Sequence, residues 1–101
     1  IYGLVRDIGN MGLDVVITEL DVVEANTGIS IERRDMLVAD ETRRYLDIVM
    51  GFSNVLGINT WGLSDSHSWL RTQRGAGNRG LPYDRDWQAK PMHDAILTAF
   101  A

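Results

Sequence analysis

Glu19 and Asp21 close a run that reads Val15-Val16-Ile17-Thr18-Glu19-Leu20-Asp21. Val, Ile and Thr favour a pleated strand, and a continuous apolar run suits one buried on both faces. Strict alternation would put Val15, Ile17, Glu19 and Asp21 on one face and Val16, Thr18 and Leu20 on the other. The two acids would then point the same way, roughly 6.5–7 Å apart along the backbone. Open sheets and barrels of the α/β class gather their chemistry at the carboxyl ends of strands, which is where these acids stand. An acid solvated at the edge of a sheet fits the same pattern.

Trp61 and Trp69 narrow the choice. One should end a second strand and the other should lie in the loop after it, with Asn59, Asp65, Ser66 and Ser68 close by. Either ring alone reads equally well as core. Together with an acidic strand end they suit a sugar: indole faces pack on the C–H faces of a pyranose, and polar neighbours bond its hydroxyls. Cleavage of a glycosidic bond needs a carboxylate beside the anomeric carbon to support an oxocarbenium-like transition state.

The elements that must position these groups can be read from periodicity. Ile1, Leu4, Val5 and Ile8 fall at helical spacing and stop at Gly9-Asn10-Met11-Gly12. No cap precedes Ile1, so a truncated or processed chain is expected, and the lack of a signal peptide carries no information. After the Glu19 strand, Glu24 to Gly28 reads as a polar loop, and Ser30 is the expected cap of a helix from about Ile31 to Met50. Leu37, Tyr45, Leu46, Val49 and Met50 are predicted to face the core, with Arg33, Arg34, Asp40 and Arg43 solvated. Val55 to Trp61 reads as a second strand, Leu63 to Asp86 as a long loop, and Pro91 as the start of a helix burying Met92, Ile96, Leu97 and Phe100. Strands alternating with helices predict parallel βα units.

Other chemistries find little footing. Gly75-Ala76-Gly77-Asn78-Arg79-Gly80 has the spacing of a dinucleotide-binding turn, but polar residues precede it and Pro82 and Asp84 follow. Without a strand before it and a helix upon it, a flexible loop is the expectation, not a cofactor site. His67 and His93 lie far apart and at no metal-ligand spacing, so no metal is expected. His67, near the tryptophans, could face a substrate; His93 should pack or be solvated. Cysteine and the Gly-x-Ser-x-Gly elbow are both absent. A formal net charge of −4 argues against nucleic acid, and no apolar run reaches the ~18 residues of a membrane span.

Gly12-Leu13-Asp14-Val15-Val16-Ile17-Thr18-Glu19-Leu20-Asp21 resembles the seventh-strand signature of the glycoside hydrolase family 10 xylanases, which are (β/α)₈ barrels. Thr60-Trp61-Gly62-Leu63-Ser64-Asp65 and Ser68-Trp69-Leu70 resemble that family's eighth strand and its loop. Leu81-Pro82-Tyr83-Asp84 and Lys90-Pro91 resemble the approach to its last helix. The resemblance implies an α/β fold: the C-terminal part of a TIM barrel, two parallel strands with flanking helices, with residues 1–101 one portion of a single catalytic domain. It implies that Glu19 is the nucleophile of a retaining endo-1,4-β-xylanase and that Asp21 helps orient it through a histidine on an earlier strand. Trp61 and Trp69 would line the subsite of the sugar being cleaved. Val15 and Ile17 would fill the barrel interior beneath Glu19. It also implies secretion and a xylan or xylo-oligosaccharide substrate, with no cofactor, nucleic acid or membrane.

A full barrel takes roughly 250 residues, so the chain's partner would be the missing N-terminal part of the barrel. The family's acid/base glutamate follows an Asn, and no Asn-Glu pair occurs in this sequence. Retaining chemistry sets its two carboxyls about 5–5.5 Å apart on opposite sides of the bond. Asp21, on the same strand face as Glu19, cannot stand across the sugar, and nothing assigns that role to Asp65. The fragment alone is therefore expected to be inactive, with its sheet edges open. Two other readings are a non-catalytic sugar-binding module using Trp61 and Trp69, and a half-barrel that assembles with itself or with a complementary fragment.

Overall fold

A computed structural model describes residues 1–24, 28–70 and 77–101. Along them run α1 (Tyr2–Asn10), β1 (Val15–Leu20), α2 (Ile31–Val49), β2 (Val55–Thr60), one 3₁₀ turn over Asp65–His67, and α3 (Pro91–Ala99). The predicted order of elements is the observed one. The punctuation also falls where the side chains demand it. The Ser30 hydroxyl accepts the amide of Arg33, Gly12 takes a positive φ of 76° after α1, and Pro91 opens α3.

β1 and β2 pair in parallel, with α2 as the crossover that parallel strands require. α2 lies along α3, and α1 touches α2 more lightly. Val5, Leu20, Val38, Leu46, Val49 and Met92 form the buried cluster between sheet and helices. Among the described residues the sheet has two strands, each paired on one side.

Several phases differ from those predicted. Beyond Asp35 the buried positions of α2 are Val38, Ala39, Thr42, Leu46 and Val49; Tyr45 and Met50 flank them half-buried, and Leu37 is exposed. Leu37 lies one residue, about 100° of helix, off that stripe. On α3, Met92 and Ala95 are buried, and Ile96 and Ala99 pack beside them, while Leu97 and Phe100 face outward. Only Val5 of the α1 stripe is buried. Arg34, predicted to be solvated, is buried in an ion pair with Glu24, and its neighbour Asp35 is buried in one with Arg79.

The strand faces also depart from simple alternation. The register runs Val15 to Val55, then Val16 to Gly57; Ile17 meets Ile58, then Leu20 meets Thr60. The second shift advances three residues on β1 against two on β2, which is a bulge over Thr18 and Glu19. Ile17 and Leu20, of opposite parity, thereby both pack into the helix-side core. Ile17 does not fill the far side of the sheet, as the resemblance implied; Val16 and Leu56 face that side, 50% and 65% exposed.

The loop after β2 is not loose where it is described. Gly77 offers its carbonyl to Arg34, and the Asn78 side chain bonds both the Glu24 carbonyl and the Gly80 amide. Gly80 in turn accepts the Val22 amide at 3.0 Å. A Cβ on Gly80 would stand 1.8 Å from the Val22 carbonyl oxygen. The glycine is thus required by backbone packed on backbone, whereas the sequence suggested a flexible segment. Gly75 and Ala76 of the same motif lie outside the described residues. Gly80→Ala should destabilise by about 1–3 kcal/mol or more, from overpacking. Gly57→Ala, whose Cβ would meet nothing within 4 Å, should stay within about 0.5 kcal/mol of the parent. Urea denaturation of the two variants checks the contrast, and equal effects would contradict it.

Candidate active site

Parallel pairing sets the carboxyl ends of β1 and β2 side by side. The Trp61 amide donates to the Leu20 carbonyl at 2.9 Å, extending the ladder one step past the strands. Glu19, Leu20 and Asp21 therefore end next to Trp61. The bulge over Thr18 and Glu19 leaves Glu19 exposed, and none of the hydrogen bonds within the described residues uses its carboxylate. Glu19, Leu20 and Asp21 line one cavity with Leu37, Val38 and Thr42 of α2, a cleft with no β2 residue in its wall. A second cleft lies between β2 and α3, lined by Ile58, Asn59, Thr60, His93 and Ile96 among others, with no β1 residue.

Asp21 is half-buried, and its Oδ2 accepts the indole N–H of Trp69 at 2.6 Å. Trp61 and Trp69 are 46% and 47% exposed, so neither is a core residue. Three of the four predicted site residues, Asp21, Trp61 and Trp69, thus join Glu19 at one end of the sheet through named contacts of backbone or side chain. The direct link from Asp21 to Trp69 was missed in the sequence, where the rings were weighed only for their faces. The available signal was that an indole N–H seeks an acceptor, and a strand-end carboxylate is one.

Asp65, the other acid weighed for the site, serves a different purpose. Its Oδ1 accepts the Leu81 amide at 3.1 Å, and its Oδ2 accepts from Lys90 Nζ at 2.6 Å; Lys90 also donates to the Arg79 carbonyl at 2.7 Å. Both side chains are almost wholly buried, at 0% and 4%. Burial pushes the Asp65 carboxyl above the ordinary carboxylate range, against the pull of Lys90. Burial likewise pushes the Lys90 amine below its ordinary value, against the pull of Asp65. Arg79 forks onto Asp35 at 2.7 and 2.9 Å, and Arg34 onto Glu24 at 2.7 Å for each bond. These pairs tie the loop to α2, to the end of β1 and to the start of α3.

His67 lies exposed beside this loop, its Nδ1 2.8 Å from the Ser66 hydroxyl and its ring 6.1 Å from that of Trp87. His93 packs edge-on against Tyr83 at 5.3 Å and meets Asp94 at 3.0 Å. Trp87, a residue to which the sequence drew no attention, carries a positive φ of 62° at the tip of a turn closed by Asp84. Among the described residues no group of three or more His, Cys, Asp or Glu is set to hold a metal ion. None of their helices is long and apolar enough to cross a membrane.

The profile of glycosyl hydrolase family 10 matches residues 1–99. The chain belongs to that family. It is similar to endo-1,4-beta-xylanase A of Fusarium oxysporum f. sp. lycopersici, at 28% identity over 94 residues, which is 93% of this chain and 28% of that protein. It superimposes on native xylanase 10B of Thermotoga maritima with a TM-score of 0.85 and 26% identity, covering 97% of this chain and 30% of that one. Xylanase 10B of Thermotoga petrophila RKU-1, solved with xylobiose, gives a TM-score of 0.84 at 24% identity with the same two coverages. The chain therefore spans about three-tenths of these family 10 proteins. The two parallel strands and three helices of the described residues are the C-terminal part of a TIM barrel, as the resemblance implied.

Asp65→Ala would strand a buried Lys90 and should cost about 3–5 kcal/mol, whereas Asp65→Leu with Lys90→Met should cost less than the single change. Unfolding midpoints in urea compare the two, and a double variant worse than the single would contradict a burial-dominated pair.

Proposed function

We propose that the protein carrying this chain hydrolyses internal β-1,4-xylosidic bonds of xylan with retention, and that residues 1–101 are the C-terminal portion of its catalytic domain. Glu19 is the nucleophile in this reading and Asp21 its orienting partner, with Trp61 and Trp69 against the sugar. The observation that supports it most is the family match over 1–99 combined with an exposed Glu19 at the strand end that Asp21, Trp61 and Trp69 share. The xylobiose held by the Thermotoga petrophila relative supports a xylo-oligosaccharide as ligand. Secretion, which the resemblance implied, is part of the same proposal, because intact xylan is too large to enter a cell.

Glu19 would attack the anomeric carbon and expel the leaving sugar, forming a glycosyl-enzyme ester. A second carboxyl must protonate that leaving oxygen and then activate water, from about 5–5.5 Å across the bond. Asp21 leaves the same strand end as Glu19 and Asp65 is buried against Lys90, so neither is assigned that task. In this reading the acid comes from an N-terminal part of the barrel outside residues 1–101. The unpaired strand sides, the two clefts beside them and the exposed Val16 and Leu56 suit such a partner.

The two half-exposed tryptophans also support a second reading, sugar binding without turnover by this segment alone. One set of assays separates the two. The 101-residue chain should release no reducing sugar from xylan, while the natural-length protein should, giving the β-anomer first by NMR. Glu19→Gln in the natural-length protein should lower kcat on the order of 10³-fold or more. Turnover by the short chain, or an indifferent Glu19→Gln, would overturn the assignment. Binding by the short chain that depends on Trp69 and ignores Glu19 would favour the second reading.

A further inference from the structure

The bond from Trp69 to Asp21 joins two groups that the proposed chemistry uses separately. Trp69 stands between Ser68 and Leu70, which are 4% and 1% exposed, and the Ser68 hydroxyl accepts the Leu70 amide at 3.1 Å. The backbone is therefore pinned on both sides of the tryptophan, while the side chain projects from the loop, 47% exposed. Two torsions then govern where the indole plane lies. A stacked pyranose needs that plane fixed before it arrives, because ordering a rotamer-rich side chain on binding costs affinity. Oδ2 of Asp21 takes the N–H edge of the ring at 2.6 Å, a short contact of the charge-assisted kind.

We propose that Asp21 is a positioning residue for Trp69, holding the indole by its N–H edge so that its face is presented to the sugar beside Glu19. The inference rests on the reading of Trp69 as a sugar platform. It goes beyond that reading by giving Asp21 a task separate from orienting the nucleophile. The two tasks are compatible, since the Trp69 bond uses Oδ2 and a carboxylate can receive a second donor on Oδ1. One carboxylate then links the strand that carries the nucleophile to the loop that carries the platform. A change in either is felt by the other.

The test uses the natural-length protein in a Glu19→Gln background, so that binding is measured without turnover. Titration calorimetry with xylotetraose should show Trp69→Phe, which keeps a ring but loses the N–H, binding roughly five- to tenfold more weakly. Asp21→Ala should lose a similar factor, and the two together no more than either alone. Asp21→Asn, which keeps an acceptor oxygen, should recover most of the loss. In the ligand-free protein the Trp69 indole proton resonance, assigned through Trp69→Phe, should shift upfield in Asp21→Ala and much less in Asp21→Asn. Additive losses, or an indole resonance that ignores Asp21→Ala, would overturn the proposal. A resonance that moves as expected in a protein that binds no xylotetraose at all would leave the bond standing and sink the xylan reading instead.

Discussion

Everything at the candidate site follows from the parallel pairing of β1 with β2. Two parallel strands must end at the same edge of their sheet, and the chain between them must cross back, here as α2. That geometry brings Glu19 and Asp21, at the end of one strand, beside Trp61 at the end of the other, joined by the bond from the Trp61 amide to the Leu20 carbonyl. An antiparallel hairpin of the same two sequences would have put the acids and the tryptophan at opposite ends.

The pairing positions strand ends, but Trp69 lies eight residues beyond Trp61 and needs its own support. That support is polar. A loop folded against a domain must find partners for its backbone and charges, since unpaired buried polar groups are costly. Three ion pairs, Glu24 with Arg34, Asp35 with Arg79 and Asp65 with Lys90, meet that need. No buried side-chain nitrogen or oxygen among the described residues lacks a hydrogen-bond partner. Such pairs contribute little net stability, because desolvation offsets most of their attraction. Their value here is geometric: each accepts one arrangement of loop, helix and strand end. Glu19, by contrast, sits where a bulge turns it out of the ladder, and it stays exposed.

Local signals were legible in the sequence. Ser30 as a cap, Gly12 as a stop and Pro91 as a start depend on a residue and its near neighbours, and each stands where expected. Helix phase was less legible. Leu37, Leu97 and Phe100 satisfy a helical repeat but are exposed, because a repeat defines a stripe only to within about one residue and the packing partner chooses among the possible stripes. Arg34 read as a surface charge because its partner, Glu24, lies 10 residues away; Asp35 likewise meets an Arg79 that is 44 residues distant. The tryptophans were recognised for their faces, while the N–H edge that binds Asp21 became visible only with the loop in place.

The sequence by itself determined the kinds of element, their order and the parallel βα arrangement of the described residues, and it singled out Glu19, Asp21, Trp61 and Trp69 as candidates. Those properties rest on short-range propensity and on side-chain chemistry that is the same in any surroundings. The tertiary structure decided which way Ile17 faces, which acid holds Trp69, why Gly80 must be glycine, and that Asp65 is bound to Lys90 and not offered to a substrate. Each of those depends on a register shift or on contacts between residues distant in the chain. No window of local sequence encodes such contacts; they exist only once the strands have paired and the loop has closed over them.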